Sequence, residues 1–194
     1  EIPYDGNIEL ATELKSAKNK GFVPDLILQA GDVTWLEGPS PIPNFIIATD
    51  PHAVDYTPRL QYADHFFTMQ KHYLPTNSFV PYAYDQYIHK NLKGKYFKYD
   101  AVMCGLQYDH RLELVNRLKE NGVKVFNALG VIYEQYVKTY NEGKIALVYP
   151  SKEDLPARFW EGLAMGRLVV TKRVPDLKEF DFVEDRDYVG FDSV

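Results

Sequence analysis

The second half of the chain alternates strand-like and helix-like segments with a regularity that few folds allow. Four buried-strand runs occur there, at 101–104, 123–126, 145–149 and 168–171. Three helical patterns separate them, at 111–120, 131–140 and 155–165. Strands that alternate with helices of this length predict βαβ units and a parallel sheet. Because such sheets bind ligands at the carboxyl ends of their strands, we expect residues 99–194 to form one α/β lobe with its site at that edge.

The first half predicts a smaller α/β lobe over residues 1–83. Its helical patterns cover 8–17 and 57–63, and its strand-like runs lie at 26–30, 44–49, 65–68 and 78–81. In the first helix of the second half, we expect Leu112, Val115 and Leu118 to share the buried face. Residues 84–98 have no clean period and mix four lysines with aromatics. We interpret this stretch as a linker between the two lobes rather than as a basic nucleic-acid patch.

Composition excludes several classes of protein. The net charge is -5, which gives no strong field for nucleic acid or an anionic membrane. No apolar run approaches the roughly 20 residues of a membrane span. Cys104 is the one cysteine, which fits a reducing compartment, and we expect a cytoplasmic protein. The five histidines show no zinc spacing, so no metal cofactor is expected.

The segment 149–166 carries most of the chemistry, because it leaves a strand and opens a helix. Free backbone N–H groups at a helix start favour anions, and Pro156 fits the first turn. Arg158 lies near that start and could bind a phosphate through its forked donors. Leu155, in the loop just before the helix, is assigned to the same site. Glu161 stands among apolar neighbours and needs donors, such as the two hydroxyls of a ribose; a solvent-facing position is the alternative.

The same segment carries a family resemblance. Glu153 and Glu161 form an E-x7-E pair across a strand–loop–helix junction that small residues and a strand follow. This context resembles the retaining GT-B glycosyltransferases, and spore-maturation-type glycosyltransferases in particular, although Gly162 stands where alanine is usual in the broader class. The resemblance to the spore-maturation type rests on Gly105, Arg111, Arg158, Glu161 and the run Thr171-Lys172-Arg173-Val174-Pro175-Asp176-Leu177.

The resemblance implies a GT-B fold, in which two Rossmann-like lobes face a cleft. It implies that Glu161 binds the nucleotide ribose, that Glu153 lies near the transferred sugar, and that Arg158 and the Gly105 turn face the pyrophosphate. Arg111, Lys172 and Arg173 are further candidates for the pyrophosphate. The first half would then be the acceptor lobe. We expect it to be incomplete, since the opening strand and glycine-rich turn of such a lobe are not in the chain.

In that first lobe, three polar residues follow strand-like runs and are expected to line the opposite wall of the cleft: Asp32, Thr34 and His52. His52 would hydrogen-bond the donor sugar or transfer a proton. The alternative is a turn histidine without chemistry. The function implied is a metal-independent transfer of a sugar from a nucleotide donor to an unknown acceptor, with retention. A catalytically silent binding module and a sugar-nucleotide epimerase on the same scaffold stay open as alternatives.

Overall fold

Parallel strands run through both halves of the chain. The computed structural model describes residues 7–31, 35–76, 78–94 and 96–192. The chain divides into two units, Glu1–Pro81 and Tyr82–Val194, each with its own sheet structure. Over the described residues, every strand pair that forms a ladder is parallel.

The first unit holds a three-stranded parallel sheet and a separate strand pair. The sheet has the order β2-β4-β5, and the pair joins β1 to β3. The strands are β1 (Asn7–Glu9), β2 (Ile27–Ala30), β3 (Trp35–Glu37), β4 (Asn44–Ala48) and β5 (His65–Thr68). The helices are α1 (Leu10–Asn19) and α2 (Thr57–Leu60). Ile46, Ala48 and Tyr56 form the buried core of this unit.

The second unit is built on a five-stranded parallel sheet with the order β10-β9-β8-β6-β7. Its strands are β6 (Tyr99–Cys104), β7 (Val125–Ala128), β8 (Gly143–Val148), β9 (Leu168–Lys172) and β10 (Val189–Phe191). Its helices are α3 (Asp109–Glu120), α4 (Tyr133–Asn141) and α5 (Ala157–Ala164), and a short 3-10 helix spans Pro175–Glu179. The prediction of a parallel sheet within residues 99–194 is therefore confirmed for the described residues.

Alternate side chains of this sheet enter two different cores. Val102 and Cys104 of β6 point to the face that α4 and α5 cover, whereas Ala101 and Met103 point to the face that carries Val115 of α3. This alternation follows from the two-residue period of a strand. Both faces are apolar because both are covered, as expected for a parallel sheet.

Two local predictions were wrong. Leu112 is exposed, and Arg111 and Val115 are the buried residues of α3, because Arg111 uses its guanidinium to bond backbone carbonyls below the helix. The run at 78–81 forms a single bridge, from Phe79 to Thr68, rather than a strand. The β1–β3 pair was not predicted, because strands of three residues are too short to show a period.

The segment predicted as a linker packs against the second unit. We call residues 85–92 the strap. Asn141 at the end of α4 holds it twice, donating to the carbonyl of Lys90 at 2.9 Å and accepting from the amide of Leu92 at 2.8 Å. The side chain of Asn91 lies where a Cβ on Gly166 would be, next to the end of α5. The strap therefore forms part of the surface around α4 and α5.

Candidate functional site

The carboxyl edge of the five-stranded sheet brings together the loops that the sequence singled out. β6 ends at Cys104 and leads into Gly105, while β8 ends at Val148 and leads through residues 149–156 into α5. Gln107 and Asn127 exchange amide hydrogen bonds between the loop after β6 and the end of β7. His110 lies 3.1 Å from the carbonyl of Pro150, which joins α3 to the loop after β8. The edge is thus a set of loops tied to one another.

Arg158 lies directly on the Gly105 turn. Gly105 has a φ of +136°, and a Cβ built there would be 3.0 Å from Nη1 of Arg158. Only glycine leaves this space for the guanidinium without backbone strain. Within the described residues, no side chain or carbonyl hydrogen-bonds or ion-pairs with the guanidinium. A half-buried cation at a strand end and a helix start is the arrangement that binds an anion.

Pro156 is placed slightly differently from the prediction. It is the N-cap of α5, with an extended backbone, and α5 begins at Ala157. The free amides of the first helical turn therefore start at Ala157 and Arg158, beside the guanidinium. Leu155 has its side chain in the core, with 2% exposed, so only its backbone can reach a ligand.

Arg111 is used for structure. Its Nε donates to the carbonyl of Tyr149 at 2.6 Å and its Nη1 to the carbonyl of Leu106 at 2.9 Å. Burial, together with the nearby charge of Arg158, lowers the pKa of Arg111 to about 10. The guanidinium connects the loops after β6 and β8, so it orders the edge around Arg158.

The loop before α5 places its two acidic residues in different surroundings. Asp154 is buried and accepts hydrogen bonds from the Ser151 hydroxyl at 3.0 Å and from the amide of Lys152 at 3.2 Å. Glu153 points outward and is exposed. Asp154, which the sequence analysis did not assign, therefore fixes the loop that presents Glu153.

Glu161 is sheltered and already has two neighbours that can donate. Its side chain is 17% exposed, and its Oε2 accepts a short hydrogen bond from the hydroxyl of Tyr136 on α4. Its Oε1 lies 3.5 Å from Nε2 of His89 in the strap. Burial raises the pKa of Tyr136, and Tyr140 and Glu161 raise it further, so the phenol keeps its proton and donates. Glu161 does not face bulk water.

The basic residues after β9 differ in their surroundings. Lys172 is half-buried at the end of the strand, at the same edge as Gly105. Arg173 pairs with two carboxylates, Glu184 at 3.0 Å and Asp192 at 2.9 Å. These pairs take up its donors, so Lys172 is the better candidate for a phosphate ligand.

A comparison with protein families fits this geometry. A family model described as glycosyl transferase-like matches residues 86–194, more than half of the chain. The chain belongs to the glycosyl transferase-like family. None of the curated proteins matches it. The range that the family model matches includes Gly105, Arg158 and Glu161, and it begins inside the strap, at Gln86.

In the first unit of this glycosyl transferase-like protein, His52 lies in the loop after β4. Its Nδ1 is 2.7 Å from Oε1 of the buried Gln70 and 3.8 Å from Oδ1 of Asp50, and the ring packs near Tyr73. Asp32 and Thr34, which were predicted to act with it, lie outside the described residues. A role for His52 stays a prediction.

Two neighbours of Glu161 were missed by the sequence analysis. His89 lies in the stretch interpreted as a linker, and Tyr136 is one of 15 tyrosines without a distinguishing motif. Tyr136 and Tyr140 are four residues apart and so lie on one side of α4. This spacing was the one feature of the sequence that could have indicated a role for Tyr136.

In the described ranges, no three metal-ligating side chains cluster. No helix within the same ranges is long and apolar enough to cross a membrane.

Proposed function

We propose that the second unit binds a sugar nucleotide at the carboxyl edge of its sheet, and that the protein transfers the hexosyl group to an acceptor with retention and without a metal ion. Membership of the glycosyl transferase-like family supports glycosyl transfer in general. The observation that carries the donor class is the Arg158 guanidinium on the Gly105 turn, which has no counter-ion in the described part of the chain.

The pyrophosphate would bind where these groups converge. Arg158 offers forked donors, and the first amides of α5 add the partial positive charge of a helix start. Charge that develops on the departing diphosphate would be stabilised by groups already in place, which is the most effective form of electrostatic catalysis. Lys172, at the same edge, would add a second cation. Chelation with EDTA should therefore leave transfer unchanged.

The ribose would bind to Glu161. A carboxylate has about four lone-pair sites; Tyr136 occupies one of them, and His89 approaches the other oxygen at 3.5 Å. At least two acceptor positions remain for the vicinal hydroxyls of a ribose. Glu161 and Arg158 are three residues apart on α5 and so lie on one helical face, about 5–6 Å apart at Cβ, which suits neighbouring parts of one nucleotide.

Glu153 would act on the sugar rather than on the nucleotide. It is exposed in the middle of the loop that leads to α5 and Arg158, and Asp154 fixes that loop. The first unit would supply the acceptor side of a GT-B arrangement, with His52 as its candidate residue. This part of the proposal rests on the resemblance to retaining GT-B enzymes.

The test combines a screen with matched ligands. A thermal-shift screen of nucleoside diphosphates and sugar nucleotides on the intact protein should find one donor class. Glu161→Gln should lower affinity for that nucleoside diphosphate about tenfold, because charge-assisted hydrogen bonds to the diol are weakened. The 2′,3′-dideoxy analogue should bind wild type and Glu161→Gln alike. Glu153→Gln should reduce turnover more than nucleotide affinity.

Two results would contradict the proposal. If no nucleotide shifts the melting temperature, the protein is not a sugar-nucleotide enzyme, and a silent binding module becomes the better description. If the donor is turned over equally with and without any acceptor, an epimerase or hydrolase is favoured instead.

A further inference from the structure

The strap turn fixes the ring of His89 in one orientation. The backbone amide of Asp85 donates to Nδ1 of His89 at 3.1 Å, and the amide of His89 donates to the carbonyl of Asp85 at 2.8 Å. The Asp85 carboxylate closes the turn by accepting the amide of Tyr87 at 2.7 Å. Because Nδ1 accepts a hydrogen bond, the proton of the neutral ring is on Nε2.

The nitrogen that carries this proton is the one that approaches Glu161. Nε2 lies 3.5 Å from Oε1 of Glu161, and both side chains are largely buried, with 14% and 17% exposed. The ring of His89 also packs edge-on to Tyr136, the donor to the other carboxylate oxygen. Glu161 is thus held from two directions, by α4 and by the strap.

The strap itself is anchored away from this contact. Asn141 binds the carbonyl of Lys90 and the amide of Leu92, on the side of His89 away from Asp85. His89 therefore lies between two fixed points of the strap. One is the turn at Asp85, and the other is the pair of hydrogen bonds made by Asn141, which we call the Asn141 clasp. Such a placement controls the orientation of a ligand group more than it stabilises the fold.

We propose that His89 is a positioning residue for the donor site, which orients the Glu161 carboxylate so that its remaining lone pairs accept the ribose diol. This inference rests on the proposed function, because it assigns the diol to Glu161. It gives the strap a role in donor recognition that the sequence alone did not indicate.

Three substitutions separate this role from a structural one. His89→Gln keeps a terminal N–H donor that can reach Glu161 but loses the acceptor for Asp85. His89→Asn keeps the acceptor for Asp85 but is too short to reach Glu161. His89→Phe keeps the ring packing against Tyr136 and loses both the acceptor for Asp85 and the Nε2 contact with Glu161. Thermal melting followed by circular dichroism checks that each variant is folded.

The binding measurement uses UDP, GDP and ADP with their 2′,3′-dideoxy analogues. For the nucleotide that binds wild type, we expect His89→Gln to stay within about threefold of its affinity. His89→Asn and His89→Phe should lose roughly tenfold, while every variant binds the dideoxy analogue as wild type does. The proposal would be overturned if a variant lost the same affinity for the nucleotide and for its dideoxy analogue. It would also be overturned if His89→Gln bound the nucleotide weakly while His89→Asn bound it as wild type does.

A second measurement needs no ligand, so it keeps the inference separate from the proposed function. The Nε2 and Hε2 resonances of His89 in NMR spectra should shift in Glu161→Gln, because the partner of this N–H changes. The ring of His110, which faces the carbonyl of Pro150, is the internal control and should not shift. Unchanged His89 resonances would overturn the inference even if nucleotides bind, whereas shifted resonances without nucleotide binding would count against the proposed function alone.

Discussion

Two arginines at the carboxyl edge lie in different surroundings. Arg111 is 4% exposed, and this burial lowers its pKa, while its donors bond two backbone carbonyls and fix the loops. Arg158 lies on Gly105, with no bonded partner in the part of the chain that the structure describes. Sequence alone treated both as candidate ligands, because an arginine near a helix start looks the same in either case.

Gly105 gives the first prediction at this scale. Gly105→Ala should cost roughly 1–3 kcal/mol in the free energy of unfolding, because of its positive φ. It should also weaken nucleotide binding about tenfold, since the new Cβ would meet the guanidinium at 3.0 Å. The control is Gly122→Ala, where φ is +81° and nothing lies within 4 Å of the new Cβ. Urea titration should show a loss of stability in both variants, whereas calorimetry should show weaker nucleotide binding in Gly105→Ala alone. Equal nucleotide affinity in the two variants would contradict the role of Gly105 in placing the Arg158 guanidinium.

Cys104 gives a second prediction. Burial raises the pKa of its thiol to about 12, although the charge of Arg158 opposes this. The native thiol should not react with a disulfide reagent at pH 8, and it should react once urea unfolds the chain. The folded state favours the neutral thiol, so its contribution to stability is complete below the unfolded pKa, roughly 8.5, and is lost as pH rises toward 12.

The matched variant for this pH effect is Cys104→Ala. Between pH 9 and 11, in steps measured by urea titration, its free energy of unfolding should fall less than that of wild type. Buried tyrosines lose stability in the same range, but they are present in both proteins and cancel. A parallel decline in the two proteins would show that the thiol is not the titrating group.

At the scale of elements, the packing of α5 explains Gly162, which the sequence analysis noted only as standing where alanine is usual. This glycine lets α5 lie close to the sheet, since a Cβ there would be 2.8 Å from Cβ of Ala146 and 3.0 Å from Cγ2 of Val169. Glu161 is turned to the side of α4 and the strap, and the glycine beside it sets how deeply the helix sits.

Gly162→Ala is the prediction at this scale. Alanine improves helix propensity by about 1 kcal/mol, but overpacking costs about 1–3 kcal/mol, and the facing Ala146 Cβ is fixed to the backbone. We expect the clash to prevail, with a net loss of about 1–2 kcal/mol in urea unfolding. Gly94→Ala, which opens into free space, should change stability by less than about 0.5 kcal/mol. A more stable Gly162→Ala protein would show that α5 is free to move outward.

The elements also show how far the sequence could be read. The strands and helices of the second unit follow from hydrophobic period, so their order and the parallel sheet were predictable. That Arg158 and the Gly105 turn face one site was implied by the family resemblance, and in the structure the two are in contact. The contact of His89 with Glu161 was not, because the strap has no regular period and its position depends on the Asn141 clasp.

At the scale of the whole molecule, the two units differ in the size of their sheets and in the groups that lie at the sheet edges. The second unit has five strands, covered faces and a set of connected loops at one edge. The first unit has a three-stranded sheet, with His52 hydrogen-bonded to Gln70 near its edge. The family match begins at residue 86 and falls within the second unit. We therefore propose donor binding for the second unit and acceptor binding for the first.

The measurement that tests this account most directly is a calorimetric titration of the intact protein with the nucleoside diphosphate of its donor. Arg158→Ala should weaken binding by tenfold to a hundredfold, because the charge-assisted bonds to phosphate are lost. Arg117→Ala, an exposed cation on α3, should bind as wild type does. If Arg158→Ala keeps wild-type affinity, the anion site is not at the carboxyl edge of the five-stranded sheet, and the assignment of a sugar-nucleotide donor to this unit is wrong.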